Sequence, residues 1–238
     1  MDKENKNIVE VLKMAREVGK ALSEEQLAQL QGLLKDFDIR QICEILFGLD
    51  QGIDVSIYAN TKYDAEQMRE MRFGLEQGLD VSVYTDPRFN HKQMRLIKNC
   101  LEEGRDASIL ANPQFNQRQT EVVSAGLMRG VDVTIYADPR FDCFQMEEIC
   151  IGLSKGLDIS FFADLVFSYG QMGEIRRGLE NGVDVSIYAN PKYNEYQMRE
   201  IRMGLEKKLN VSSYASSNMI SIEMKKMREA MERAATND

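Results

Sequence analysis

Apolar side chains recur along most of this chain at spacings of three and four, in bursts set 26 residues apart. Met94, Ile97 and Leu101 make one burst, and Met68, Met146, Met172 and Met198 stand in the same register in others. Such spacing lays one apolar stripe along an α-helix, because residues three and four apart share a face. Polar columns keep the same step. Gly52, Gly78, Gly104, Gly130, Gly156 and Gly182 recur without a slip, with Lys208 in the seventh place. Two residues later come Asp54, Asp80, Asp106, Asp132, Asp158 and Asp184, and Asn210 closes that series. Gln41, Gln67, Gln93, Gln119, Gln145, Gln171 and Gln197 form a third column, ended by Glu223.

Each column has a local physical reason. In the unit that starts at Phe89, Asn90 is a helix N-cap and Gln93 completes a capping box, while Phe89 and Met94 staple the chain across the cap. Gly104 supplies the left-handed residue that ends the helix. The pattern predicts long helices such as 65–77 and 195–207. The segment between them reads two ways. Val185, Ile187 and Ala189 alternate with polar neighbours, which suits a short strand. Asp184 before the run and Pro191 after it suit a short helix, and the recurrent alanines (Ala59, Ala137, Ala189) add weight to that reading through close helix packing.

Neither segment buries its apolar face alone, so neighbouring units must stack. The expected fold is all-α: a right-handed α-solenoid of 26-residue repeats, each a long helix plus a short helix or turn. A leucine-rich-repeat-like α/β solenoid is the alternative. The expected organisation is an N-terminal helical cap over 1–36, with helices over 7–19 and 24–35, then the tandem-repeat solenoid over 37–220. A C-terminal capping helix and tail follow over 221–238.

The 238 residues are 43% hydrophobic, enough for a sizeable core. Lys plus Arg is 30 against 38 Asp plus Glu, a net charge of −8 that argues against a nucleic-acid partner. No secretion signal or membrane-length apolar run is recognisable. Cys43, Cys100, Cys143 and Cys150 form no CxxC pair and read as reduced thiols. The expected compartment is the cytoplasm, with no membrane contact. His91, the single imidazole, sits in a variable surface column with no second ligand for a metal. The glycines punctuate helix ends, and the methionines read as core filler. No catalytic residue, metal site or cofactor emerges, so the chain reads as something other than an enzyme.

The variable columns carry the functional reading. Rows aligned with residues 66, 70, 73 and 77 share one side of the long helix. They hold Phe73, Leu96, Val122, Phe144, Ile151, Tyr196 and Met203 among charged residues. Apolar side chains grouped on a charged face mark an interaction surface. These seven are the candidate partner-binding residues of a non-enzymatic scaffold that engages a protein along one face of the rod, as a monomer or weak homo-oligomer. Two alternatives stand beside it: an acidic inhibitor or decoy occupying a target's nucleic-acid-binding surface, and a self-assembling structural element. The fifth unit departs most, with Leu165 for proline, Ser168 as the cap, and Gly170 and Gly173 inside the helix. It reads as tolerated drift, or as a flexible joint or partner pocket.

The run from Tyr188 to Leu209, with Ala189-Asn190-Pro191-Lys192-Tyr193-Asn194, Gln197-Met198 and Gly204-Leu205-Glu206, resembles tandem repeats of uncharacterised proteins from low-GC Gram-positive bacteria. The resemblance covers residues 37–233. It implies a bacterial solenoid and brings with it no activity and no functional residue.

Overall fold

Each 26-residue repeat folds as one long α-helix and one 3-10 turn. The computed structural model describes residues 36–235. The chain divides into two units, Met1–Pro113 and Gln114–Asp238. The first holds α1 (Ile39–Asp50), α2 (Ala65–Glu76) and α3 (His91–Glu102), with α1 packed on α2 and α2 on α3. The second holds α4 (Gln117–Met128), α5 (Cys143–Ser154), α6 (Tyr169–Glu180), α7 (Glu195–Glu206) and α8 (Ser221–Ala235), each packed on the next. Among the described residues there is no strand, so the architecture is a helical repeat and the leucine-rich-repeat alternative has no counterpart. The expected helices over 7–19 and 24–35 lie outside the described residues. The expected C-terminal helix is α8.

Caps set both ends of the helices. The Asp64 side chain accepts from the Gln67 amide while Gln67 Oε1 accepts from the Asp64 amide, and the same box opens α1 and α3 to α7. Ser168 caps α6 where Asn or Asp caps the others, at a longer 3.3 Å. At the far end of α1, Gly52 adopts φ 72, its amide donates to Leu49 O (3.1 Å), and the Ile53 amide donates to Gly48 O (2.9 Å). This is a Schellman ending. Lys208 takes the same left-handed conformation at φ 58. A side chain there crowds the following carbonyl, which glycine avoids. Lys208→Gly is therefore expected to stabilise the second unit by about 1 kcal/mol, read as a rise in the urea midpoint; an unchanged or lower midpoint would contradict this account.

The linking segment is a 3-10 turn opened by the aspartate column. Asp54 Oδ1 accepts from the Ser56 amide (3.0 Å) and hydroxyl (2.6 Å) and caps Val55–Ile57. These serine bonds hold the Asp54 and Asp80 carboxyls below the usual aspartate range. Ala59 and Ala137 are half-buried, and their amides close the turn onto Val55 O and Val133 O (2.8 Å each).

Two further columns bind the repeats together. Besides their place in the cap, Gln41, Gln67, Gln119, Gln145, Gln171 and Gln197 each donate Nε2 to a carbonyl 22 residues on. Gln41 reaches Tyr63 O (2.6 Å), Gln119 Phe141 O (2.7 Å), Gln145 Phe167 O (2.8 Å) and Gln197 Met219 O (2.7 Å). Glutamate would complete the box equally well but lacks this donor, which is why the column is Gln. Tyr58, Tyr84, Tyr188 and Tyr214 are fully buried, and each donates its hydroxyl to a carbonyl in the preceding long helix. Burial raises their pKa, in Tyr214 to about 12. The ring lies against a second glycine column (Gly48, Gly74, Gly178, Gly204), where any Cβ would overlap the hydroxyl.

Candidate functional site

The seven residues singled out from the sequence fall into three rows, and the structure gives each row a different environment. Leu96 and Val122 belong to the row aligned with residue 70, which the sequence placed on an open, charged side. The row is not open: Glu44, Glu70, Glu174 and Glu200 are buried, and Leu96 and Val122 are half-buried. In the first unit, Glu44 accepts from Arg69 Nε (2.9 Å) and Arg72 Nε (3.0 Å), and Arg72 also pairs with Glu76. Glu70 faces Lys98 Nζ at 3.6 Å, and Lys98 pairs with Glu102 at 3.2 Å. In the second unit, Glu148 takes Arg176 Nε (2.5 Å) and Glu200 takes Arg228 Nε (2.7 Å). Glu174, 2% exposed, gathers Arg177 (2.6 Å), Arg199 (3.4 Å) and Arg202 (2.9 Å).

The row is a ladder of acid, base 28 residues on, and a second acid four residues beyond that. Leu96 and Val122 take the first place in two registers, and there all the charges drop out together. Ser124 and Cys150 stand where the base belongs, and Met128 and Ser154 replace the second acid. An acid kept without its base would be a buried, uncompensated charge, so the three positions change as a set. At α8, Lys226 replaces the acid and is exposed.

Phe73, Ile151 and Met203 share a second row and are half-buried. The Phe73 ring carries the Arg72 guanidinium 4.4 Å from its centroid, and Phe47 carries it at 5.4 Å, so these rings shield the ion pair. Phe144 and Tyr196 form the third row and are 50% and 56% exposed. Earlier copies of this row are charged (Arg40, Glu66, Lys92, Arg118), and later ones are Phe144, Gly170, Tyr196 and Ile222. Ile222 is exposed, and so is Tyr169, whose ring centroid lies 5.3 Å from that of Phe144. Neither is among the seven sequence candidates. The signal available for Ile222 was the loss of charge in this column after Arg118.

The capping boxes position this row: they fix the first turn of α5, α6 and α7, where Phe144, Tyr169 and Tyr196 sit. An open groove of about 750 Å³ beside it is lined in part by Gln171, Glu195, Tyr196 and Ile220. What the arrangement offers is contact surface, with rings and carboxylates held on rigid helix ends.

Among the described residues, no group of three His, Cys, Asp or Glu side chains is placed to hold a metal ion, and no helix is long and apolar enough to cross a membrane. None of the four cysteines forms a disulfide. Cys100 and Cys150 are buried, and burial raises the half-buried Cys43 thiol above its ordinary pKa. His91 is half-buried in the first turn of α3. Compared with protein-family models, curated protein sequences and solved structures, the chain returns no match.

Proposed function

We propose that this chain is a non-enzymatic repeat scaffold, working in the cytoplasm, that binds another protein through the exposed row at the N-terminal ends of α5 to α8. The observation that carries the reading is the change of chemistry in that row. Phe144, Tyr169, Tyr196 and Ile222 are each at least half exposed, where the same surface of the first unit carries charge. Exposed rings held close together mark contact sites, because an aromatic side chain brings large area at small rotamer cost. Of the seven sequence candidates, Phe144 and Tyr196 are the two we assign to this surface, joined by Tyr169 and Ile222. Of the remaining five, Phe73 shields an ion pair of the ladder, Leu96 and Val122 stand in its neutral registers, and Ile151 and Met203 are half-buried beside it in sequence.

The test is capture from the native host lysate by wild type and by a Phe144→Asp, Tyr196→Asp variant of equal circular dichroism. The expected result is a protein retained by wild type and reduced about tenfold or more with the variant, since hot-spot truncations cost ~2 kcal/mol. Equal recovery would remove the row from the binding role. No recovery, together with a mass that grows with concentration, would favour a self-assembling element.

A further inference from the structure

The second unit carries one short pattern twice, with its charge reversed. On α5, Phe144, Glu147 and Ile151 stand at spacings of three and four. On α7, two helices on, Tyr196, Arg199 and Met203 hold the same three columns. Such spacing puts each trio on one helix face. Both trios open with a ring, 50% exposed in Phe144 and 56% in Tyr196, and both close with a half-buried apolar side chain. Between ring and apolar residue stands the charge. Glu147 is exposed, and Arg199 is nearly half exposed, with Glu174 at a loose 3.4 Å.

The helix α6 lies between the trios and packs on both of their helices. Its own residues in those columns are Gly170, Gly173 and Arg177. The glycines are covered by the side chains of Glu195 and Glu148, and Arg177 is held by Glu174 at 2.6 Å. A half-turn about an axis along α6 therefore exchanges the trios, ring for ring and apolar for apolar, and sets acid against base. The column through Gly173 keeps that sense further out, with Glu121 on α4 and Lys225 on α8, both exposed. A surface that pairs with its own copy needs this antisymmetry, because each residue must find its complement at the position related by the two-fold axis. A foreign partner imposes no such rule.

From this geometry we infer that the α5 and α7 trios are the two halves of a dimer interface. The α5 helix of one copy lies against α7 of a second, and its α7 against the other's α5, about an axis along α6. Phe144 of each copy then meets Tyr196 of the other, Glu147 meets Arg199, and Ile151 meets Met203. This names a second copy of the chain as an occupant of the surface proposed above, and it rests on that surface being a protein contact. Two copies paired in this way cover Phe144 and Tyr196, so the dimer must part before a foreign protein takes the row. With about 8–10 Å between packed axes, the trios lie about 16–20 Å apart. Contacts confined to them fall short of the ~800 Å² per partner of a standard interface, so the dimer is weak.

Sedimentation equilibrium of the full chain, from about 1 µM to 1 mM, should show a mass that rises to that of a dimer and stops, since a two-fold contact closes on itself. Glu147→Arg sets like charges at both contacts and should raise the dissociation constant at least tenfold. Glu103→Arg makes the same change of charge at an exposed residue of the first unit and should leave it unchanged. Arg199→Glu should weaken pairing as Glu147→Arg does, and an equimolar mixture of the two variants should pair as wild type does, because both contacts are again acid on base. Glu174 keeps Arg177 and Arg202 in that variant, and circular dichroism checks its fold. If it does not fold, Arg199→Gln takes its place, and the mixture should still pair more tightly than Glu147→Arg alone. A monomer at every concentration, growth past the dimer, indifference to Glu147→Arg, or no recovery in the mixture would overturn the inference. If lysate capture still depends on Phe144 and Tyr196 in that case, the protein-binding reading survives alone. Pairing as expected with no foreign protein captured would keep the dimer and remove the scaffold.

Discussion

Glu174→Gln lowers the stability of the second unit by about 3 kcal/mol, the scale for removing one partner of a buried ion pair. Three guanidinium groups converge on this carboxylate, which is 2% exposed. Arg177 and Arg199 are nearly half exposed and return to water when the charge goes. Arg202, with a side chain 12% exposed, keeps only Glu206. An amide in place of the carboxylate leaves that guanidinium buried and undercompensated, and this desolvation, not the lost Coulomb attraction, supplies most of the cost. Urea unfolding checks it: the midpoint should fall at an unchanged slope.

The matched control removes a whole register. Glu148→Val, Arg176→Cys and Glu180→Ser together copy Val122, Cys150 and Ser154, the chain's own neutral set. Replacing a buried ionic group by apolar residues as a set is often close to neutral, so the triple variant should stay within about 1 kcal/mol of wild type. A triple variant as damaged as Glu174→Gln would mean that the ladder stabilises the stack outright. The expected near-neutrality means instead that it is a constraint which a repeat either keeps complete or drops complete.

How much of this was legible in the sequence depends on how far each column reaches along the chain. The capping boxes at Asn90 and Gln93 and the turn glycines are local rules, readable because the atoms that satisfy them lie within a few residues. Gln119 shows where local reading stops. Its place in the box was plain, but its bond to Phe141 O spans 22 residues and exists only once two repeats are stacked. Row 70 was misplaced for the same reason: helical spacing says which residues share a face, and not that a neighbouring helix covers it. The pairing left a trace nonetheless, since acid and base are lost together at Leu96 with Ser124 and at Val122 with Cys150. The exposed row was half legible. Phe144 and Tyr196 stood out as rings in a charged column, while Tyr169 lies in the adjacent column and joins them only through the contact of its ring with Phe144.

Gly178→Ala should cost about 2–3 kcal/mol, toward the upper end for overpacking a filled core. The added Cβ overlaps the Tyr188 hydroxyl and comes within 2.9 Å of Val185 Cγ1. Tyr188 has no exposed surface to retreat into, and moving its ring breaks the hydroxyl's bond to Glu174 O (3.1 Å). The chain carries its own answer to this crowding three repeats earlier: Cys100 replaces the glycine where Leu110 replaces the tyrosine, and both are fully buried. Side chain and ring therefore compete for a single volume. Tyr188→Leu alone should cost about 2–3 kcal/mol, because it leaves a void against Gly178. Gly178→Cys with Tyr188→Leu fills that void as Cys100 and Leu110 do, so the pair should cost at least 1 kcal/mol less than the sum of its single variants, a coupling expected only of residues in contact. Strict additivity in the double-mutant cycle would mean that the glycine column answers to backbone conformation and not to the tyrosine. Coupling of the expected sign would show that each repeat chooses between two packings of one site, so that the ring and the glycine facing it are a single heritable unit.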